Sequence, residues 1–411
     1  MTTFPLPLAE LLGHWESYIV YVVIGFLFGY ILEISGFGNA MKLAPQFYFK
    51  DLTVLKVMFG AIVTAMVLIF LTTSVGLLDY NLIWVNPTYL WPGIVGGLVM
   101  GVGFILGGFC PGTSLVSAAT LKIDGIFFVG GVLFGILMFG ETVGLYENFW
   151  HSSYLGRYTL MDWLGLSTGV VVLLVVLMAL FMFWGAEQLE RVVGGRELTR
   201  EPRWRYGAAG ALVLGAGLLV VLGQPDTATR WSWLLDTEGA RLANREVQIH
   251  PGELLDTIHN DDINLLMFDV RSEQDYNLFH IQDAQHKTVA EMPLLAKALQ
   301  LAPANTVVVV MSNDETAATE AWKILRAESV NNVYILEGGI NNWLAIFANP
   351  EWQAAQGAAG VAGDEPLRYA FTAALGSQYP WASPVPENFE LVYTPKIKLE
   401  LKRSPGGGGC G

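Results

Sequence analysis

Six apolar runs occupy the first 223 residues, near positions 17–35, 56–78, 89–109, 123–146, 164–186 and 207–223. Each is long enough, or nearly so, to cross a hydrocarbon layer of about 30 Å as a helix. That layer admits only backbones that satisfy their own hydrogen bonds. Residues 1–223 are therefore expected to form a polytopic α-helical membrane domain. Composition agrees, with 53% hydrophobic and 15% charged residues, where a soluble domain carries about 25% charge. A simple cytosolic enzyme is excluded on this ground. The remainder reads as water-soluble, and residues 224–411 carry −11 of the net charge of −14. No basic tract exists, so nucleic acid is not an expected partner. Cys110 and Cys410 are the two cysteines, too few for a disulfide framework or a multi-cysteine zinc site. No metal and no cofactor is expected.

Orientation follows from Lys and Arg in the short loops, which stay on the cytoplasmic side. Lys42, Lys50, Lys56, Lys122, Arg191, Arg196, Arg200, Arg203 and Arg205 fall on one side of the six runs, and Arg157 alone on the other. Both ends of the membrane domain are thus expected to face away from the cytoplasm, with residues 224–411 in a bacterial periplasm. The first 16 residues hold Glu10 and Glu16 but no Lys or Arg. They lack the basic region of a cleaved signal peptide, and the N-terminus is expected to be retained in the inner membrane protein.

An internal repeat is visible in the membrane domain. GFLFGYILEISGFGNA at 25–40 matches GLVMGVGFILGGFCPG at 97–112, with Gly25, Gly29, Gly36 and Phe37 over Gly97, Gly101, Gly108 and Phe109. Gly60 falls over Gly130 after a short gap. Paired Gly-interrupted apolar segments point to the central site of a transporter, whereas single glycines also serve simply to let helices pack closely.

Within the second copy, Cys110 ends the third run, and Pro111 suits the first turn of a new helix. Gly108, Phe109, Gly112, Thr113 and Ser114 complete a segment that reads as a broken helix, its positive end beside a thiol. Such an end is a ready anion site; the competing reading is a buried cysteine acting as a small hydrophobe. Gly38 and Asn39 occupy the matching place in the first copy. Glu33, Glu141, Lys42 and Lys122 are the other polar candidates. Ionisable groups within spans are functional candidates, but Lys42 and Lys122 lie beside predicted loops and read as topology anchors.

The GFCPGTS motif, its partner GFGN and the Gly-rich repeat resemble the YeeE/YedE family of sulfur transporters over about residues 17–223. The resemblance implies uptake of thiosulfate, with thiols along the conduction path handing the anion onward. That role carries to Cys110 and not to Gly38, which stands where the pattern would set a second thiol. A shorter relay or a different sulfur substrate follows.

Residues 224–246 read as a linker. Beyond them, NLLMFDV, NTVVVVM and NVYILEGG alternate with helical stretches, which argues a parallel sheet covered on both faces. DVR, HIQDA and LEGGINNW resemble the rhodanese domain over about 247–347, through Asp269, Val270, Arg271, His280, Ile281, Ala284, Leu336, Glu337, Gly338, Gly339 and Trp343. The resemblance implies an α/β rhodanese-like fold whose active loop opens with cysteine after VVVV. Met311 stands there, followed by Ser312, Asn313, Asp314 and Glu315. A thioether forms no persulfide and two carboxylates repel thiosulfate, so the domain is expected to be catalytically silent. Asp269 and His280 then read as fold-keeping residues.

Residues 348–411 form an irregular C-terminal segment with one strand-like run, TPKIKLELK, and the ending SPGGGGCG. Cys410 on four glycines resembles the C-terminal arm of the SoxY carrier, which implies a sulfur-carrier role; an incidental cysteine on a tail or a labelling tag are the competing readings. Together these features point to membrane transport of thiosulfate or a related sulfur-containing anion, with lipid and a sulfur-carrier protein as partners. The alternative is a membrane-anchored sulfurtransferase or sulfur-carrier receptor in which Cys410 is the working thiol.

Overall fold

The computed structural model describes residues 4–6, 8–13, 15–195, 204–350 and 367–399. The chain divides into two compact units between Gln224 and Pro225.

The first unit is helical. A short α1 (Leu8–Leu12) precedes α2 (Glu16–Ile34), α3 (Ala40–Leu43), α4 (Thr53–Ser74), α5 (Leu90–Gly107), α6 (Pro111–Ala119) and α7 (Ile123–Thr142). Two brief connectors, α8 (Glu147–Trp150) and α9 (Leu160–Leu164), lead to α10 (Thr168–Val192) and α11 (Trp204–Leu222). Among the described residues, six stretches are long and apolar enough to cross a membrane, with α5 and α6 together forming the third. Large apolar side chains such as Ile19, Phe26, Leu98, Leu106 and Phe181 point outward. A water-soluble bundle would turn these side chains inward; lipid-facing helices do not.

The packed centre of this unit joins α4, α10 and α11 through Val63, Val67, Phe70, Val172, Val176, Ala179, Ala216 and Leu219. Gly169 makes that packing possible, because a Cβ there would stand 2.6 Å from the Leu219 carbonyl oxygen. At the far end of α10, Glu190 is fully buried. Its carboxylate accepts from the Leu52 N–H at 2.5 Å and from Lys56 Nζ at 2.8 Å. The start of α4 is thereby fixed to the end of α10 by an ion pair rather than by apolar contact alone.

The second unit is an α/β domain. The stretch read from sequence as a linker is in fact helical, as α12 (Thr227–Leu234) and α13 (Glu238–Ala243). Both lie against a later helix, α17 (Thr316–Ala327). The hydroxyl of Thr227 donates to Glu328 at 2.7 Å, and Arg230 pairs with the same carboxylate. Glu238 receives Arg326 at 2.7 Å and Arg241 at 3.3 Å. Burial opposes ionisation of Glu238, but the two guanidiniums outweigh it and hold the carboxyl below its ordinary value.

The sheet has five parallel strands in the order β1-β5-β4-β2-β3. They are β1 (Gln248–Ile249), β2 (Asn264–Asp269), β3 (Gln285–His286), β4 (Thr306–Met311) and β5 (Val333–Leu336). The central β4, TVVVVM, is buried along its whole length. Helices cover both faces, as an all-parallel sheet requires. One face carries α14 (Pro251–Ile258) and α18 (Gly339–Phe347), with Trp343 fully buried; the other carries α16 (Met292–Leu299) and α17, with Trp322 fully buried. A short α15 (Glu273–Leu278) follows β2.

Residues 367–399 form a strap over the first of these faces, with Leu367, Tyr369, Trp381 and Ala382 buried in its core. The TPKIKLELK run joins no strand ladder over its described part. Side chains take its amides instead: Glu253 Oε1 accepts from Lys396 N at 2.6 Å and Ile397 N at 2.7 Å, and the Tyr334 hydroxyl accepts from Lys398 N at 2.8 Å.

Candidate functional site

The third membrane stretch is interrupted where Gly108 adopts φ +71° and closes α5. A left-handed residue ends a helix most cheaply as glycine. Phe109 then turns inward, 1% exposed, and packs edge-on against Phe128 with ring centres 5.8 Å apart. Cys110 is extended and caps α6. Its backbone N–H donates to Thr113 Oγ1 at 3.0 Å, the Thr113 N–H donates to Cys110 Sγ at 3.4 Å, and Sγ and Oγ1 are 3.2 Å apart. The thiol thus stands in for the oxygen of an ordinary helix cap, and Pro111 takes the first turn, where it sacrifices no bond. Gly112 is partly exposed, whereas Thr113 and Ser114 are buried. Their hydroxyls donate back to the Cys110 and Pro111 carbonyls at 3.2 and 2.7 Å. Those oxygens face their own first turn, which leaves Cys110 as the partly exposed polar side chain of the break.

A second break faces it. After α2, Gly36 takes φ +76°, Phe37 is buried at 3%, Gly38 is buried, and the Asn39 side chain caps α3 by accepting from Met41 N at 3.0 Å. Phe37 and Phe109 share one apolar cluster with Leu43 and Val54. The breaks approach so closely that a Cβ on Gly108 would meet Ala40 Cβ at 3.2 Å. Gly38 and Cys110, some seventy residues apart in sequence, therefore belong to one crossing.

Lys122 lies in the short connection between α6 and α7, where its sequence position sets it. It precedes α7 and sends its ammonium to the Gly38 carbonyl at 2.9 Å and to Glu33 Oε1 at 3.4 Å. Both residues stand out in the sequence as polar candidates, but nothing in spacing announces a contact across 89 residues. Lys42 reaches the Ser35 carbonyl at 2.6 Å.

In the second unit, Met311 ends β4 fully buried in the apolar core with Met267, Leu336, Ile340 and Trp343. The residues after it are tied to the protein's own groups. Ser312 Oγ accepts from Ala318 N at 3.1 Å, and Asp314 accepts from Thr316 N at 2.8 Å. Asn313 links Arg271 at 3.1 Å and Asp275 at 2.8 Å. Glu315 accepts from Gly338 N at 2.7 Å and pairs with Arg245 at 2.8 Å. Gly338 and Gly339, at φ +65° and +62°, bring the next helix close enough for the Ile340 N–H to reach the Ser312 carbonyl at 2.8 Å. His280 stacks on Tyr276 with ring centres 3.9 Å apart, and burial raises the Tyr276 hydroxyl above its ordinary value. Cys410 lies outside the described residues.

Comparison with known proteins places these two units. The family profile described as Sulphur transport matches residues 34–250, just over half of the chain. The profile described as Rhodanese-like domain matches residues 250–346. The chain is also similar to a protein of Spirochaeta thermophila named thiosulfate transporter TsuA, 25% identical over 222 residues, which is 48% of this chain. The match spans 62% of that relative's length.

Proposed function

The chain belongs to the Sulphur transport family and carries a C-terminal rhodanese-like domain, and on that footing we propose that it moves thiosulfate or a related sulfur-containing anion across the inner membrane. The observation that carries the reading is the capped helix break at Cys110. A soft, partly exposed thiol stands at the positive end of α6, and a helix start favours an anion. The matching break at Gly36–Asn39 supports an internal repeat with this crossing at its centre, as in transporters built from paired, interrupted helices. The name of the Spirochaeta thermophila relative favours thiosulfate as substrate. Cys110 is the contact residue, flanked by Gly108, Pro111 and Gly112, with Gly38 and Asn39 facing it.

The rhodanese-like domain is silent as a sulfurtransferase in this reading. Its loop offers the buried thioether of Met311 in place of a thiol, and the carboxylates of Asp314 and Glu315 are taken by the protein's own Thr316 and Gly338 N–H groups and by Arg245. It serves instead to receive or dock sulfur, and Cys410 is the carrier thiol. Proteoliposomes holding the full chain should take up sulfur-labelled thiosulfate, and Cys410→Ser should slow that uptake without changing the membrane fold. No uptake at all would favour the second reading, a membrane-anchored sulfur carrier, which the rhodanese-like domain and the tail cysteine recommend.

Nine basic residues on one side of the spans against one on the other support a periplasmic second unit. A reporter active only in the periplasm, fused after Gly223, should be active; activity of a cytoplasm-only reporter there would reverse the orientation.

A further inference from the structure

Resting on that transport reading, we infer that Lys122 is a second anion station on the path, with Glu33 as the resident counter-anion that the substrate displaces. Four observations lead there. First, the pair sits at the helix crossing that holds Cys110, since Lys122 donates to the carbonyl of Gly38 in the facing break. Ionisable groups in membrane bundles face an interior or a water-filled path, because the lipid side is too costly. Second, the pair is loose and reachable. Lys122 Nζ and Glu33 Oε1 are 3.4 Å apart, and the two side chains keep 36% and 39% of their surface exposed. A committed charge-assisted bond is about 2.8 Å long; this ammonium is held without being consumed.

Third, Glu33 is only half satisfied. Its Oε2 is enclosed and has no hydrogen-bond partner among the described residues, a costly condition for a carboxylate oxygen. A carboxylate that is poorly held is one that an arriving dianion can push aside. Fourth, the space is made by Gly38. A Cβ at that position would stand 2.5 Å from Glu33 Oε2, 3.3 Å from Lys122 Nζ and 3.3 Å from Val116 Cγ1. The break that lacks a thiol is therefore the break whose missing side chain makes room for the ion pair. Here a charge takes over the holding role that Cys110 performs by sulfur contact, so the path alternates one cationic and one thiol station. The ligand chemistry is that of a small divalent oxyanion, for which a mobile ammonium is a strong point-charge partner.

The test is the KM for thiosulfate in proteoliposomes of the full chain. Lys122→Gln should raise KM at least about tenfold, a step of about 1.4 kcal/mol in affinity. Lys122→Arg should recover most of that loss. Glu33→Gln should lower KM and slow turnover together, because the competing carboxylate no longer frees the bound anion. An unchanged KM in Lys122→Gln would overturn the assignment. So would recovery of wild-type uptake in the Glu33→Gln/Lys122→Gln double variant, since the pair would then serve only to neutralise itself. Absent uptake by the unmodified chain would remove the transport reading, and this station with it.

Discussion

Cys110→Ala is expected to abolish the proposed thiosulfate uptake while the protein still folds and inserts. The loss of function follows from the thiol's place as the partly exposed polar side chain of the α6 start, where the Thr113 and Ser114 hydroxyls are occupied by carbonyls of their own turn. The structural cost is bounded. Losing a helix cap costs about 0.5–2 kcal/mol, and one half of this cap survives, because the backbone N–H of residue 110 still reaches Thr113 Oγ1 at 3.0 Å. Cys110→Ser separates the two effects. Serine is a better cap than cysteine by chemistry and nearly the same in size, so the fold should be at least as stable; its hydroxyl cannot make the soft sulfur contact, so uptake should still fall. The measurement is initial uptake rate against the amount of folded, inserted protein. Wild-type rates in either variant would show that the thiol is only a helix cap with no part in the path.

Much of this architecture is legible in residues alone. Long apolar runs with few charges leave a chain no alternative to membrane helices, and the run of Gly108, Phe109, Cys110 and Pro111 announces a stop, a turn and a new start in consecutive letters. The central strands are equally plain, because NLLMFDV, NTVVVVM and NVYILEGG each hold a short run of apolar or β-branched residues. What escaped has a common cause. The strands β1 and β3 are two residues long and carry no periodicity to read. The helices at 227–234 and 238–243 owe their order to Glu328 and Arg326, on or beside α17, far along the chain. TPKIKLELK alternates like a strand, but over its described part the amides of Lys396, Ile397 and Lys398 go to the side chains of Glu253 and Tyr334. The pairs Lys56–Glu190 and Glu33–Lys122 each join charges that sequence displays singly. Local pattern fixes local structure; which charge meets which is decided by the packed fold.

Asp269→Ala is the substitution expected to destabilise the rhodanese-like domain most. Asp269 ends β2 with its side chain fully buried, and so is the side chain of Arg271, two residues on. The carboxylate accepts from Arg271 Nε at 2.9 Å, from its NH2 group at 2.6 Å and from the Arg271 backbone N–H at 3.1 Å. The guanidinium reaches onward to Asn313 at 3.1 Å and to the Phe279 carbonyl at 2.5 Å, and Asn313 in turn holds Asp275. One buried network thus joins the end of β2, the loop after β4 and the turn before His280. Removing the carboxylate strands a guanidinium in the core, and breaking a buried pair in this way costs about 3–5 kcal/mol. Set against a total domain stability of about 5–15 kcal/mol, that loss is large enough to open the sheet. Hydrogen exchange of the intact chain should reveal it as lost protection over 264–269 and 306–311. Replacing both partners with apolar residues, Asp269→Leu with Arg271→Met, should return much of the protection, because two buried charges removed together leave neither one stranded. Native protection in Asp269→Ala alone would mean that the loop of Ser312 to Glu315 is held by Gly338, Gly339 and Ala318, and that the ion pair is a passenger.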